Sequence, residues 1–269
     1  MCSIIFAAAD RSALSCPLLA KNRDRELGHH LGSDFLVRDR LSLALVGVAF
    51  RHAPRLISQG INEKGLCLAY NFVKIRKAGW EKDWEPVPGA SARQRRAGAL
   101  GRRILGRCVS VEDALELLAA ETGPGCYLGG TMVLADSRGG ALVEGAGDDM
   151  AVRHLSSGVE IRNNHFLLLP DLGPDVDEYP SSYRRGRRCA ELLAPRRVVD
   201  TTALAGVLRD HDPWPSEDSI CRHAEVDDPL AHFTVASVIM IPRNAGGAPE
   251  LLYASGHPCE ASYVSYIPG

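Results

Sequence analysis

The sequence predicts an α+β protein in which antiparallel sheets pack against segregated helices, and three observations carry that expectation. Short apolar runs with β-branched character crowd the stretches 3–72, 131–162 and 233–254. Helix-period segments lie between them at 92–123 and 183–208 instead of alternating one for one with strands. Turn chemistry joins neighbouring runs.

In chain order, Ser3 to Ala8 and Leu18 to Lys21 read as two paired strands with Asp10-Arg11-Ser12 as the turn, so the amino terminus is a strand end. Leu43 to Phe50 and Gly65 to Phe72 follow, then Thr131 to Ala135, Ala141 to Glu144, Met150 to His154 and Val159 to Arg162. Asp136-Ser137-Arg138-Gly139-Gly140 and Ser156-Ser157-Gly158 supply the turns between neighbours. Ser110, with Glu112-Asp113 and then Leu115, Leu117 and Leu118, has the pattern of a capped helix ending near Gly123. Further helices are expected over Ala92 to Leu105, Tyr183 to Leu193 and Thr201 to Leu208. The chain returns to strand at Phe233 to Ile241 and Glu250 to Ala254 across the turn-rich Pro242 to Pro249. With no linker between these segments, residues 1–269 are expected to form a single domain.

A formal net charge of -2, with 24% charged residues, excludes the basic footprint of a nucleic-acid binder and leaves a small molecule as the expected partner. The apolar opening is broken at Asp10-Arg11, too soon for a signal peptide or a membrane span, so a cytoplasmic protein without membrane contact is expected. The eight cysteines are scattered and no two have two-residue spacing, which predicts reduced thiols, no disulfides and no metal site. Cys221 and His223 form a close Cys/His pair, and His29-His30 and Asp210-His211-Asp212 read as solvated loop residues. No cofactor is expected, and the oligomeric state, homo-oligomer included, is not legible.

Chemistry enters at Cys2. Removal of Met1 leaves a thiol and a free α-amine on one residue, with pKa values of about 8.5 and about 7.7–8.0, so the amine can take the thiol's proton without a distant histidine. Alternation along the second strand puts Lys21 and Arg23 on one face, where a cation favours the thiolate, while Asp24 has the means to hold the amine. Asn71 and Asn164, each at a strand end, are neutral directional donors of the kind that stabilise an oxyanion. Each of these features alone also fits ordinary turn or core residues.

Taken together, Met1-Cys2, Asn22 with Asp24, Gly60-Ile61-Asn62-Glu63-Lys64-Gly65-Leu66, Asn71-Phe72, Asn164-His165-Phe166 and Ser181-Ser182-Tyr183-Arg184 have a familiar order. It resembles the N-terminal-nucleophile group of isopenicillin-N acyltransferase, penicillin V acylase and choloylglycine hydrolase. Ser219-Ile220-Cys221-Arg222-His223, Thr234-Val235-Ala236-Ser237-Val238 and Ala254-Ser255-Gly256-His257-Pro258-Cys259 bring it nearer the acyltransferase branch. The resemblance implies a four-layer αββα fold and a Cys2 acyl-enzyme formed from a small-molecule amide or acyl thioester. It also implies that Asp24 positions the amine, Asn71 and Asn164 contact the oxyanion or substrate, and Arg184 steadies the site by charge.

Lys21 stands where that group commonly has arginine, so either Lys21 or Arg23 fills the role. Asn22-Arg23-Asp24 also resembles the Asn-Arg-Asp-Glu proteins of transport and Golgi organisation, although Arg25 replaces the glutamate and the C-terminal motifs fall outside that likeness. A catalytically silent binding protein of the same fold is the third alternative. Trp80 and Trp84 suit either a pocket or a surface loop.

Overall fold

The computed structural model describes residues 2–26, 35–50, 53–76, 92–121, 129–147, 149–211, 214–216, 218–223, 231–243 and 246–269. The chain opens with β1 (Cys2–Ala7) and β2 (Leu18–Glu26), paired antiparallel with Cys2 opposite Arg23 and Ile4 opposite Lys21. It then builds a second sheet in sequence order: β3 (Phe35–Arg40), β4 (Ala44–Phe50), β5 (Ala53–Asn62), β6 (Cys67–Phe72), β7 (Gly130–Ala135), β8 (Gly140–Ala146) and β9 (Asp149–Leu155). β10 (Val159–Arg162), β11 (His232–Ile241), β12 (Glu250–Ser255) and β13 (Val264–Tyr266) return to the first sheet, whose order is β10-β1-β2-β11-β12-β13.

Strand alternation sorts the apolar residues into layers. From the first sheet, Ile4, Phe6 and Leu19 point inward and meet Val46, Ile61, Ala69, Val133 and Leu142 of the second. Ile5, Leu18 and Ala20 point outward, onto Cys189 and Leu193 of α3 (Pro180–Leu193) and Leu204 of α4 (Thr201–Leu208). The second sheet's outer face, with Ile57, Leu68 and Met132, is covered by Ile104 of α1 (Ala92–Arg107) and Leu118 of α2 (Val111–Glu121). The layers therefore run αββα, as the resemblance implied. Because both faces of the inner strands are covered, β1 is apolar almost throughout and loses the polar alternation of a half-solvated strand.

Helix caps follow local chemistry. Ser110 accepts from the Asp113 amide ahead of α2 at 3.1 Å, as its position predicted, and Asp200 accepts from the Ala203 amide to start α4. Three strands escaped the sequence reading. β3 carries alternating charges on a partly exposed edge, β5 contains Pro54 and several polar residues, and β13 has three residues. The tetrad Lys21 to Asp24 lies inside β2 and is at most 4% exposed, so the second strand runs five residues past its expected end at Lys21. Ser156-Ser157-Gly158 joins β9 to β10 across the two sheets, whereas the Asp136 to Gly140 turn makes the expected hairpin. α3 starts at Pro180, a residue suited to the first helical turn, three positions before the expected start. His29, His30, Trp80 and Trp84 lie outside the described residues.

Asn62 fastens the second sheet to its helices. Its Nδ2 donates to the carbonyls of Leu105 and Cys108 at 2.9 and 2.8 Å, and its Oδ1 accepts from the amides of Lys64 and Leu66 at 3.0 Å each. Replacing it with alanine strands buried backbone groups, each at a cost of about 1–3 kcal/mol. Asn62→Ala is expected to lower the unfolding free energy by that order, and with it the denaturation midpoint, while the folded fraction keeps its Cys2 reactivity. Equal midpoints in urea unfolding of the two proteins would contradict this.

Candidate active site

β1 and β2 bring the thiol and its charges together through register. Residues opposite each other on an antiparallel pair share a face, so Cys2 and Arg23 both point between the sheets, and Lys21, two residues away, joins them. Lys21 is fully buried; its Nζ donates to Gln59 Oε1 on β5 at 2.6 Å, and its side chain hydrogen-bonds that of Cys2. Arg23 Nη1 donates to Ser58 Oγ on the same strand. Burial on its own pushes the Cys2 thiol up, the positive charge of Lys21 and, less strongly, that of Arg23 oppose it, and the net shift is downward. Burial also pulls the Lys21 ammonium down, opposed by its contact with Cys2.

The helix-facing side of the same strands supports the residue's backbone. The Cys2 nitrogen donates to Asn164 Oδ1 at 2.8 Å. Arg185, buried on α3, spans the site: Nη1 donates to the Cys2 carbonyl at 3.2 Å and to Ser3 Oγ at 3.0 Å, and Nη2 donates to Asn164 Oδ1 at 3.2 Å. Asp24 faces this side, with its Oδ2 3.8 Å from Arg185 Nη1 and its Oδ1 accepting from Thr234 Oγ1 at 2.8 Å. Asp24 is also close enough for its charge to oppose the thiolate.

The two asparagines differ. Asn164 Nδ2 donates to the Phe72 carbonyl at 2.7 Å, which leaves its second N–H without an acceptor among the described residues. Asn71 turns its Nδ2 to the carbonyls of Cys2, Arg162 and Asn163 at 3.3, 3.1 and 3.2 Å, while its Oδ1 finds no donor among them. Gln59 Nε2 and Thr131 Oγ1 are likewise buried without a described partner, and Gln59, Asn71 and Thr131 share the inner face of the second sheet. Buried polar groups rarely stay unpaired, so these three atoms are free to bond water or a ligand.

Arg184 is not part of this assembly. It is half exposed and pairs with Asp218 on the surface. Helical spacing explains the exchange with its neighbour: Ser182, Arg185 and Cys189 lie three and four residues apart on the buried face of α3, which turns Arg184 outward. That same spacing was available in the sequence and points to Arg185. Gln59 and Ser58 gave no signal, because the strand that carries them went unrecognised. His165, the alternative base of a Cys-His pair, has its Nδ1 2.8 Å from Ser182 Oγ and stacks on Tyr183 at 3.9 Å. Burial, then the charges of Arg162 and Arg185, lower its pKa to about 4, so it is neutral in the physiological range.

Residues 12–236 match the family profile described as acyl-coenzyme A:6-aminopenicillanic acid acyl-transferase, which covers most of the chain. The chain belongs to this acyltransferase family. Its matched span contains Ser219-Ile220-Cys221-Arg222-His223, one of the C-terminal motifs that the Asn-Arg-Asp-Glu likeness did not reach. A search of curated proteins finds no match. Among solved structures, a Caenorhabditis elegans ortholog of N-acylethanolamine-hydrolyzing acid amidase is similar in fold, with TM-score 0.61, 13% identity and 99% of this chain and 100% of that one covered. Penicillin V acylase from Agrobacterium tumefaciens gives TM-score 0.55 at 13% identity, over 95% of this chain and 83% of that one. The C2A mutant of conjugated bile acid hydrolase from Clostridium perfringens gives 0.54 at 14%, over 100% and 97%. The fold is thus that of the N-terminal-nucleophile hydrolases, and the family sets the activity as amide hydrolysis or acyl transfer. No helix among the described residues is long and apolar enough to cross a membrane.

The charge balance at Cys2 has a pH signature. A thiol with a lowered pKa becomes thiolate, and therefore nucleophilic, at lower pH than a free cysteine. Removing the Lys21 ammonium raises that pKa, so Lys21→Met is expected to move the acid limb of iodoacetamide labelling at Cys2 to higher pH. Peptide-resolved alkylation rates across pH check this, and an unmoved limb would contradict it.

Proposed function

We propose that the enzyme is a cysteine N-terminal-nucleophile acyltransferase or amidase in which Cys2, freed of the residue before it, attacks the carbonyl of a small-molecule amide or acyl thioester. The observation that carries this reading is the 2.8 Å contact between the Cys2 nitrogen and Asn164 Oδ1, beside a thiol in contact with Lys21. Once that nitrogen is an amine, the contact orients its lone pair, and the amine serves as the base for its own thiol.

Each neighbour takes a role from its geometry. Lys21 fills the position usual for arginine and stabilises the thiolate, with Arg23 as a second charge of smaller effect. Asp24 and Arg185 hold the amine's surroundings, and the unused N–H of Asn164 is the oxyanion donor, acting mainly in the transition state. Asn71 fixes the Cys2 carbonyl and offers its Oδ1 to an N–H of the substrate. Arg184 has no role in this scheme. Attack forms an S–C bond and expels the amine or thiol; water then releases an acid, or an amine takes the acyl group. The buried free thiols at Cys16, Cys67, Cys108 and Cys189 suit a reducing compartment, and on that ground we infer a cytosolic enzyme.

A preceding peptide bond turns the α-amine into an amide that cannot accept the proton at neutral pH. A cleavable tag placed directly before Cys2 is therefore expected to hold kcat/KM for an acyl thioester at background until it is cut. Comparable activity before and after cleavage would rule out the α-amine as base. In the cut enzyme, Asn164→Ala is expected to lower kcat by about 100-fold or more with a smaller change in KM, the behaviour of a lost oxyanion donor. A change confined to KM would instead assign Asn164 to substrate recognition.

A further inference from the structure

We propose a structural zinc site formed by His211, Cys221, His223 and Cys259, four residues that take no part in the Cys2 site. His211 follows α4, Cys221 and His223 precede β11, and Cys259 follows β12, so three separate stretches of chain converge. All four ligand atoms lie within 4.8 Å of one another. The sequence expectation of no metal site rested on spacing, and spacing does not register ligands gathered by the fold.

The distances decide the chemistry. The two sulfurs are 3.6 Å apart, the Nε2 atoms of His211 and His223 are 3.1 Å apart, and His223 Nε2 is 3.7 Å from Cys221 Sγ and 3.4 Å from Cys259 Sγ. Zinc bonds of about 2.3 Å to sulfur and about 2.0–2.1 Å to nitrogen give tetrahedron edges of about 3.8, 3.3 and 3.6 Å for S–S, N–N and S–N. These four edges match that figure to within a few tenths of an ångström, and the two from His211 to the sulfurs are within 4.8 Å. A disulfide instead requires sulfurs about 2.05 Å apart. Two thiolates and two imidazoles form a donor set that favours zinc over the hard cations, and four protein ligands make it a closed site with no position for a reacting group.

The surroundings hold the ligands in place. The Cys221 amide donates to the Asp210 carbonyl at 3.1 Å, the His223 amide donates to Ser216 O at 3.0 Å, and the His257 ring stacks on His223 at 3.9 Å. Arg222, between two ligands, donates its amide to Thr234 Oγ1 at 2.9 Å, and that hydroxyl donates to Asp24. The ion would therefore staple the connection into β11 beside the strand that supports the nucleophile.

Metal analysis of protein from zinc-supplemented expression, purified without chelator, is expected to find about one zinc per chain. Cys259→Ser and His211→Ala each lose it. Wild-type protein stripped under reducing conditions and titrated with Co²⁺ is expected to develop the visible bands of tetrahedral cobalt and a thiolate charge-transfer band, both reversed by Zn²⁺. The cobalt experiment needs no variant to fold. Zinc-replete protein that carries no metal and gives no cobalt spectrum overturns the proposal, as does a cobalt spectrum unchanged in Cys259→Ser.

Discussion

The contact between Lys21 and the Cys2 thiol places an ammonium where burial disfavours charge, and much of the surrounding structure offsets that cost. A buried cation is tolerable only with a counter-charge and hydrogen bonds that replace its hydration. The Cys2 thiolate provides the first and Gln59 Oε1 the second. Both depend on the sheets facing each other: β1 and β2 present the charges, and β5 of the opposite sheet presents the acceptors. The same low-polarity setting that penalises Lys21 makes its field at the sulfur strong.

Cys2 is consequently held from two sides for two purposes. The face between the sheets sets the thiol's electrostatics through Lys21 and Arg23. Its backbone is fixed by Asn164 on the nitrogen, by Arg185 from the helix-facing side on the carbonyl, and by Asn71 of the opposite sheet on the same carbonyl. Asp24 neutralises part of Arg185's charge and is itself tied through Thr234 to the strand leading from the zinc-site residues. Position is set by many backbone-directed contacts, and reactivity by few charged ones.

What the sequence disclosed follows from which signals are local. β1 and β2 were legible from apolar runs and a turn, and their pairing put Cys2 beside Lys21 and Arg23. Alternation correctly gave those two cations one face. β5 was not legible, because a strand buried on both sides by long-range packing needs no simple periodicity and this one contains Pro54 and Gly60. With it went Gln59 and Ser58, which accept from Lys21 and Arg23. Arg184 was preferred over Arg185 because a motif was followed without its helical phase; the phase alone separates the exposed residue from the buried one. The Cys221, His223, Cys259 and His211 cluster was beyond any spacing rule, since its members come from three connections.

The acyl-enzyme itself tests the account most directly. Cut enzyme mixed with an activated acyl thioester, quenched in acid during turnover and digested for mass spectrometry, is predicted to carry the acyl group as a thioester on Cys2, with none on the other cysteines. An acyl group on a different residue, or turnover with no covalent adduct at Cys2 under conditions that trap one, would contradict it.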